Sequence, residues 1–296
     1  MSEKALLMIH ALTGLHPGSG TALGVVDLPV QRERHTAWPL IPGSSLKGVL
    51  RDACRRKNGS EDESKELKAV FGSETSEADA HAGALSLTDA RILAFPVRSL
   101  RGVFAWVTCP AVLERLSRDL SLVGAGGLKD IPRVEKEMAA CHENSPLLVD
   151  GNKLVLEEFE FTRVKWADSV AGWVASHVTE DKATQDRIRT NLAVLHDDDF
   201  THFVRHATEV VARVGLDYQR KTVKQRALFY QEFLPAETLF YCLVIAEDSR
   251  RKDVKKDAVW TLRYAQQNVP AVLQIGGNET IGKGLCAVRL IPTREV

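Results

Sequence analysis

Asp27 is the residue on which chemistry could turn. It stands between Gly24 and Pro29, in backbone that no periodicity claims, with His16, Glu33 and His35 close by in the chain. A carboxylate in such a place can take a proton from an attacking group or hold a divalent cation against a phosphate. As a bare sequence feature it could equally cap a turn. Around it, Gly14, Gly18, Gly20 and Gly24 let backbone N–H groups approach an anion with no Cβ in the way.

Further on, Pro42-Gly43-Ser44-Ser45 opens a segment in which Leu46, Val49, Leu50 and Ala53 recur at helical spacing. Lys47, Arg51 and Arg55 form a second, basic stripe. The pattern predicts a helix over 46–57 with Ser44 or Ser45 as its N-cap and its first amides turned toward a polyanion. Near the end of the chain, Gly277 to Lys283 fits the phosphate-loop pattern G-x-x-x-x-G-K, but Gly284 stands where a hydroxyl should meet magnesium. A strand, not a helix, is expected after it, so Gly282 and Lys283 read as a glycine-rich loop lying against phosphates, with a plain β-turn as the competing reading. His196-Asp197-Asp198-Asp199 with His202 and His206 resembles a metal-ligand set, yet it lacks the glutamate of H-E-x-x-H and reads better as an acidic helix start, with Asp199 as N-cap and surface histidines.

The elements that must position these residues alternate between periods of 2 and 3.6, which predicts an α+β fold. Strands are expected at 6–12, 84–87, 103–108, 154–161, 209–216, 238–246, 271–275 and 287–291. Helices are expected at 46–57, 110–120, 168–177, 186–195, 199–207 and 253–267. Residues 208–234 read as a long hairpin with a basic tip of Arg220, Lys221, Lys224 and Arg226. Such a hairpin can slip between bases while its cations hold phosphates. The acidic stretch from Glu61 to Ala82 reads as a mobile insertion, and Gly124-Ala125-Gly126-Gly127 as a turn.

Composition narrows the class. The 296 residues carry 39 Lys and Arg against 39 Asp and Glu, so any binding of nucleic acid must come from local patches. Five cysteines without a C-x-x-C pair fit reduced thiols in a cytosol and argue against structural zinc. The apolar run before His10 is too short for a signal peptide or a membrane span.

Three blocks carry a resemblance: His16-Pro17-Gly18-Ser19-Gly20, the run Gly24 to Glu33, and Ile41 to Gly48. They resemble the amino-terminal signature of the RAMP superfamily and, more narrowly, the Cas-seven-like backbone subunits of type III-B CRISPR (Cmr) effectors. Ser86 to Val107, Asp198 to Tyr241 and Ile275 to Leu285 continue the likeness, while 57–83 and about 119–195 carry less of it.

The resemblance implies a single RAMP domain over 1–296. Its core would be a ferredoxin-like, RNA-recognition-type palm, with a β-hairpin thumb at 208–234, a mobile polar insertion at 57–83 and a mainly helical insertion at 119–195. It implies a cytoplasmic RNA-guided endoribonuclease that polymerises along a CRISPR guide RNA with copies of itself and other Cmr subunits, and cuts complementary target RNA at regular intervals. Asp27 would be the catalytic residue, with a divalent cation (magnesium or manganese). His16 and Glu232 would serve positioning or proton transfer. Ser44, Ser45, Lys47, Arg51, Arg98, Lys221, Lys224, Gly282 and Lys283 would bind RNA. The alternatives are a non-catalytic scaffold of the same complex type, a free-standing guide-processing endoribonuclease and, more remotely, an NTPase.

Overall fold

The run from Ala5 to Ala11 is buried without a break, which only a strand covered on both faces allows. This strand is β1 (Glu3–Ala11). The computed structural model describes residues 2–22, 24–57, 64–73, 81–166, 168–217, 219–220 and 222–293. In chain order the first half continues with β2 (Leu40–Ile41), α1 (Gly43–Lys57), α2 (Lys65–Phe71), β3 (Leu85–Leu87), β4 (Ala90–Arg98), β5 (Phe104–Thr108) and α3 (Pro110–Val123). Then come β6 (Met138–Cys141), β7 (Leu148–Val149), β8 (Lys153–Leu156), β9 (Phe159–Val164), α4 (Ser169–Val178), α5 (Lys182–Asn191), β10 (Leu192–Leu195) and α6 (Asp197–His206). The remainder is β11 (Glu209–Leu216), β12 (Val223–Phe233), β13 (Leu239–Ala246), α7 (Ala258–Asn268), β14 (Val272–Gln274) and β15 (Leu285–Pro292).

Among the described residues, 13 strands make one mixed sheet along the path β14-β15-β1-β13-β4-β5-β10-β6-β9-β8-β7, with β2 on β4 and β3 on β13. β10 pairs parallel with β5 and β6 parallel with β9; the other pairings are antiparallel. Both α4 and α7 pack on β1. β11 and β12 stand outside this sheet as a ribbon of their own.

Local chemistry explains the element ends. α1 buries Leu46, Leu50 and Cys54, one residue per turn. α3 starts on Pro110 and stops at Gly124, whose φ of 80° is the left-handed end that glycine favours. α7 is capped by Asp257, which accepts from Trp260 N.

Several expectations are corrected. The helix expected at 186–195 ends at Asn191, because Leu192 to Leu195 are all buried and enter the sheet between β5 and β6 as β10. The strand expected at 154–161 is broken at Glu157, whose φ is 49°, into β8 and β9. The last helix begins at Ala258, not Asp253. Residues 119–195, expected to be mainly helical, also supply β6 to β10, which widen the sheet. Within 57–83, α2 is a docked helix held by buried Leu67, Val70 and Phe71, while 58–63 and 74–80 lie outside the described residues. All five cysteines are free and buried. Burial pushes the thiols of Cys54 and Cys141 up to about 11 and those of Cys242 and Cys286 to about 12, so none is a reactive thiolate at neutral pH.

Candidate active site

The stretch between β1 and β2 folds back on itself across the foot of the β11–β12 hairpin. Ser19 N donates to Pro29 O at 3.1 Å and Gln31 N to Pro17 O at 2.7 Å, which closes the loop. Its two limbs then tie to the hairpin's return strand. Leu15 and Leu234 exchange both backbone bonds, at 2.9 and 2.8 Å, and Leu28 bonds to Tyr230 O and Glu232 N, both at 3.0 Å. Asp27 therefore arrives beside β12, where its Oδ2 accepts from Tyr230 N at 2.7 Å. The group is half-buried, and among the described residues its Oδ1 has no partner. One oxygen anchors the side chain and the other is available.

His16 and Glu232 come to the same place but are more deeply set. His16 Nδ1 is 2.7 Å from Glu232 O, so it must donate there, which leaves Nε2 as the basic nitrogen of the neutral ring. That nitrogen lies over Gly18, where a Cβ would sit 2.8 Å from it. Glu232 has both oxygens engaged: Oε1 with Arg32 Nη2 at 2.6 Å and Oε2 with Val30 N at 2.9 Å. Buried and doubly bonded, it braces the loop rather than reaching out. Glu33 and His35 are carried away. Arg115 on α3 grips Glu33 with two bonds, at 2.6 and 3.2 Å, and Thr36 adds a third at 2.7 Å. Burial works against the Glu33 charge, but these partners outweigh it and hold the carboxyl below its ordinary range.

The glycine-rich loop completes the assembly. Gly277 N donates to His16 O at 3.1 Å and Gly284 N to Gly14 O at 2.9 Å. Gly276 and Gly284, at φ 81° and 76°, have no alternative, since a Cβ would lie 2.4 Å from His16 O and 2.1 Å from Ile275 O. Lys283 runs past Gly14, with its Nζ 4.9 Å above the Phe233 ring. Arg213 Nη1 bonds Gln231 at 2.9 Å and also Asn278, tying the loop to the hairpin. Gly282 is open, since a Cβ built there would meet nothing within 4 Å.

Other expected residues are placed elsewhere. Ser44 and Ser45 are exposed within the first turn of α1, which begins at Gly43. They are not the N-cap. Instead Gly43 N donates to Asp89 Oδ1 at 2.8 Å, so a carboxylate already meets the helix start. Lys47 is half-buried, and its pKa is pushed down by burial and then by the charges of Arg51 and Arg250, which share a cationic patch with it. Arg98 pairs with Glu157 at 2.9 Å, at the β8–β9 turn rather than at the Asp27 loop. Lys224 is exposed near the hairpin tip, six residues and roughly 20 Å of strand from Tyr230, and Lys221 lies outside the described residues. Asp199 does not cap α6; His196 does, accepting from Asp198 N, and burial raises the Asp199 carboxyl above its usual range.

Arg32 is the residue sequence reasoning missed. Besides Glu232 it donates to Ala37 O and Val204 O, both at 2.9 Å, joining loop, hairpin and α6. No local signal could have found it, because Glu232 is 200 residues away. Among the described residues no group of three or more His, Cys, Asp or Glu side chains is arranged to hold a metal ion. Asp27, with one free oxygen, does not make a cation site by itself.

A family model described as the RAMP superfamily matches residues 8–287. The chain belongs to the RAMP superfamily. Within this superfamily it is 40% identical over 291 residues to the CRISPR system Cmr endoribonuclease Cmr4 of Pyrococcus furiosus, covering 97% of this chain and 96% of that protein. It is similar to the crystal structure of oligomeric Cmr4 from Pyrococcus furiosus, with a TM-score of 0.76, 31% identity and 99% coverage of both chains. A subunit in the cryo-EM structure of the type III-B Cmr-beta complex bound to cognate target RNA shares the fold at a TM-score of 0.75 and 20% identity, covering 97% of this RAMP chain and 96% of that one.

Proposed function

We propose that this RAMP protein is the repeating backbone subunit of a type III-B CRISPR effector, which lies along a guide RNA and cuts the complementary target RNA once per protomer. The observation that carries the reading is Asp27: a carboxylate with one oxygen anchored on Tyr230 and one available, held at the foot of a hairpin whose return strand also carries Phe233, over which Lys283 of the glycine loop lies. Near-identity in length with an endoribonuclease at 40% identity supports the activity, and likeness to an oligomeric relative supports the filament.

In this reading the large sheet is a ferredoxin-like palm and β11–β12 is the thumb. Val210, Ala212, Val214, Leu228 and Tyr230 share one face of that ribbon and are exposed, an apolar surface suited to wedging between stacked bases. Lys224 holds a phosphate near the tip, Lys221 adds a further cation for the RNA, and Lys47, Arg51, Ser44, Ser45 and Arg98 hold the guide strand. Kinking at the thumb turns a target ribose so that its 2′ oxygen aligns with the adjacent phosphate. Asp27 Oδ1 takes the 2′-hydroxyl proton, the oxygen attacks phosphorus, and the bond to the next 5′ oxygen breaks, leaving a cyclic 2′,3′-phosphate and a 5′-hydroxyl protonated by solvent. Lys283 and the loop amides stabilise the charge that builds on phosphate. His16 and Glu232 keep the loop in place. Among the described residues the donors around Asp27 do not fit a cation site, and the steps are carried by Asp27, Lys283 and the loop amides.

A second reading is favoured by the Asp27–Tyr230 bond itself, which gives the carboxylate a structural duty: a scaffold that binds both strands and cuts neither. End-labelled complementary RNA added to the assembled particle separates the two. The first reading requires a ladder of products at constant spacing, and intact RNA retained on the particle would establish the scaffold.

A further inference from the structure

At the hairpin's foot, where α6 runs into β11, a cleft of about 320 Å3 opens between the carboxyl end of α6 and the β8–β9 turn. That is the small end of the range of ligand sites. Its walls are aromatic. Phe159, 38% exposed, is held edge-on by Phe203, with ring centroids 5.6 Å apart, and by His202 at 5.0 Å. His206 follows at 4.7 Å from His202, tilted by 43°. Phe159 meets His202 at 68° and Phe203 at 88°, so the rings share no plane, and Phe159 and the imidazoles each offer a separate face to the cleft.

We propose that this cleft seats a single unstacked nucleobase of the RNA that passes the hairpin. The inference rests on the reading of the protein as an RNA-guided effector subunit, and it deepens that reading by adding a base-binding subsite that the RAMP resemblance did not assign.

Three features select a base over other ligands. Base faces stack on aromatic side chains whatever their identity, and Phe159 with the two imidazoles supplies such faces. The rim carries Glu157 and Glu158, whose carboxylates repel a phosphate but accept from the exocyclic amino and ring N–H groups of a base edge. Cations stand outside the cleft rather than in it: Arg98 pairs with Glu157 at 2.9 Å, and Arg205 lies on the exposed face of α6, so phosphates flanking the seated base have partners. A metal ion is a poorer fit, since His202 and His206 find no third ligand among the described residues. Burial, and then the charges of His202, Arg205 and Arg32, push His206 below its ordinary pKa, which keeps its ring neutral for stacking at pH 7.

The cleft is also wired to the Asp27 loop. Arg32 donates to Val204 O on α6 at 2.9 Å and pairs with Glu232 at 2.6 Å, and Glu232 in turn accepts from Val30 N. A base drawn from the stack at the hairpin would thus have a receptor on the same rigid assembly that holds the carboxylate.

The test is photo-crosslinking with 5-iodouridine placed singly at each position of one repeat interval, in the target strand in one arm and in the guide strand in the other, using the assembled complex. The expected result is one position per interval, in one of the two strands, that crosslinks to the segments containing Phe159 or His202 and His206. Its yield should fall by about tenfold or more with Phe159→Leu combined with His202→Gln and His206→Gln. His206→Gln alone, an exposed change that leaves the fold intact, should lower it severalfold. Retained RNA with crosslinks to other segments only, or a yield unchanged in both variants, would overturn the seat while leaving the effector reading standing. A wild-type complex that retains neither strand would overturn the effector reading as well.

Discussion

Replacing Arg32 by leucine tests how the site is held. The side chain is 21% exposed and its partner Glu232 only 8%, so the substitution leaves a carboxylate in a place where water reaches poorly. Breaking one side of such a pair costs about 3–5 kcal/mol, most of it the uncompensated buried charge. Ala37 O and Val204 O lose their donor too; half-buried Ala37 can recover some bonding to water, but Val204 is buried and its carbonyl is left short of a partner. At about 2–4 °C per kcal/mol for a chain of this size, the melting temperature should drop by roughly 6–20 °C. The assay is thermal unfolding of wild type, Arg32→Leu, Glu232→Leu and the double variant. The double variant should be more stable than the sum of the two losses by about 1–3 kcal/mol, because it removes both charges together. Amide exchange at Tyr230, whose N–H bonds Asp27, should accelerate in Arg32→Leu as the loop loosens. A loss below about 1 kcal/mol, the ordinary worth of a surface pair, with no coupling in the cycle, would refute the account of Arg32 as the clasp of this loop.

Further outcomes follow from other contacts. Gly284→Ala should destabilise the protein by about 3 kcal/mol or more and perturb the loop carrying Lys283, since its Cβ would collide with Ile275 O; circular-dichroism melts read the loss. Glu33 has a folded pKa below its ordinary 4.5, so its pairing with Arg115 contributes stability that is fully present above about pH 5 and is lost as pH falls through the folded pKa. The gap in melting temperature between wild type and Glu33→Gln should accordingly close between about pH 5 and pH 3. A chelator added to the isolated protein should leave its melting temperature unchanged, because among the described residues no carboxylate or imidazole cluster holds a cation; a drop of several degrees would show that such a site exists.

Much of this was legible from residue patterns because the physics is local. The hairpin shows in the alternation of Val210, Ala212 and Val214, and α1 in the spacing of Leu46 and Leu50. β4 was not legible, because Pro96 within Ala90–Arg98 argues against a strand, yet its missing N–H is tolerated opposite Trp106. In the sequence, β10 continues the helical pattern before it, since four apolar residues after such a pattern carry no signal of which partner strands await them. For the site, the motif led to Asp27, but its setting depends on pairings across 200 residues, such as Arg32 with Glu232, that no spacing reveals. The same limit explains Ser44 and Ser45: nothing local says that Asp89 would meet the start of α1.

The most direct measurement is target cleavage by the assembled complex carrying Asp27→Asn. Asparagine keeps an oxygen able to accept from Tyr230 N, so loop geometry, stability and RNA binding are preserved while the proton acceptor is lost. The account predicts wild-type assembly and a cleavage rate lower by about 100-fold or more. Cutting at a rate within a few-fold of wild type would contradict it.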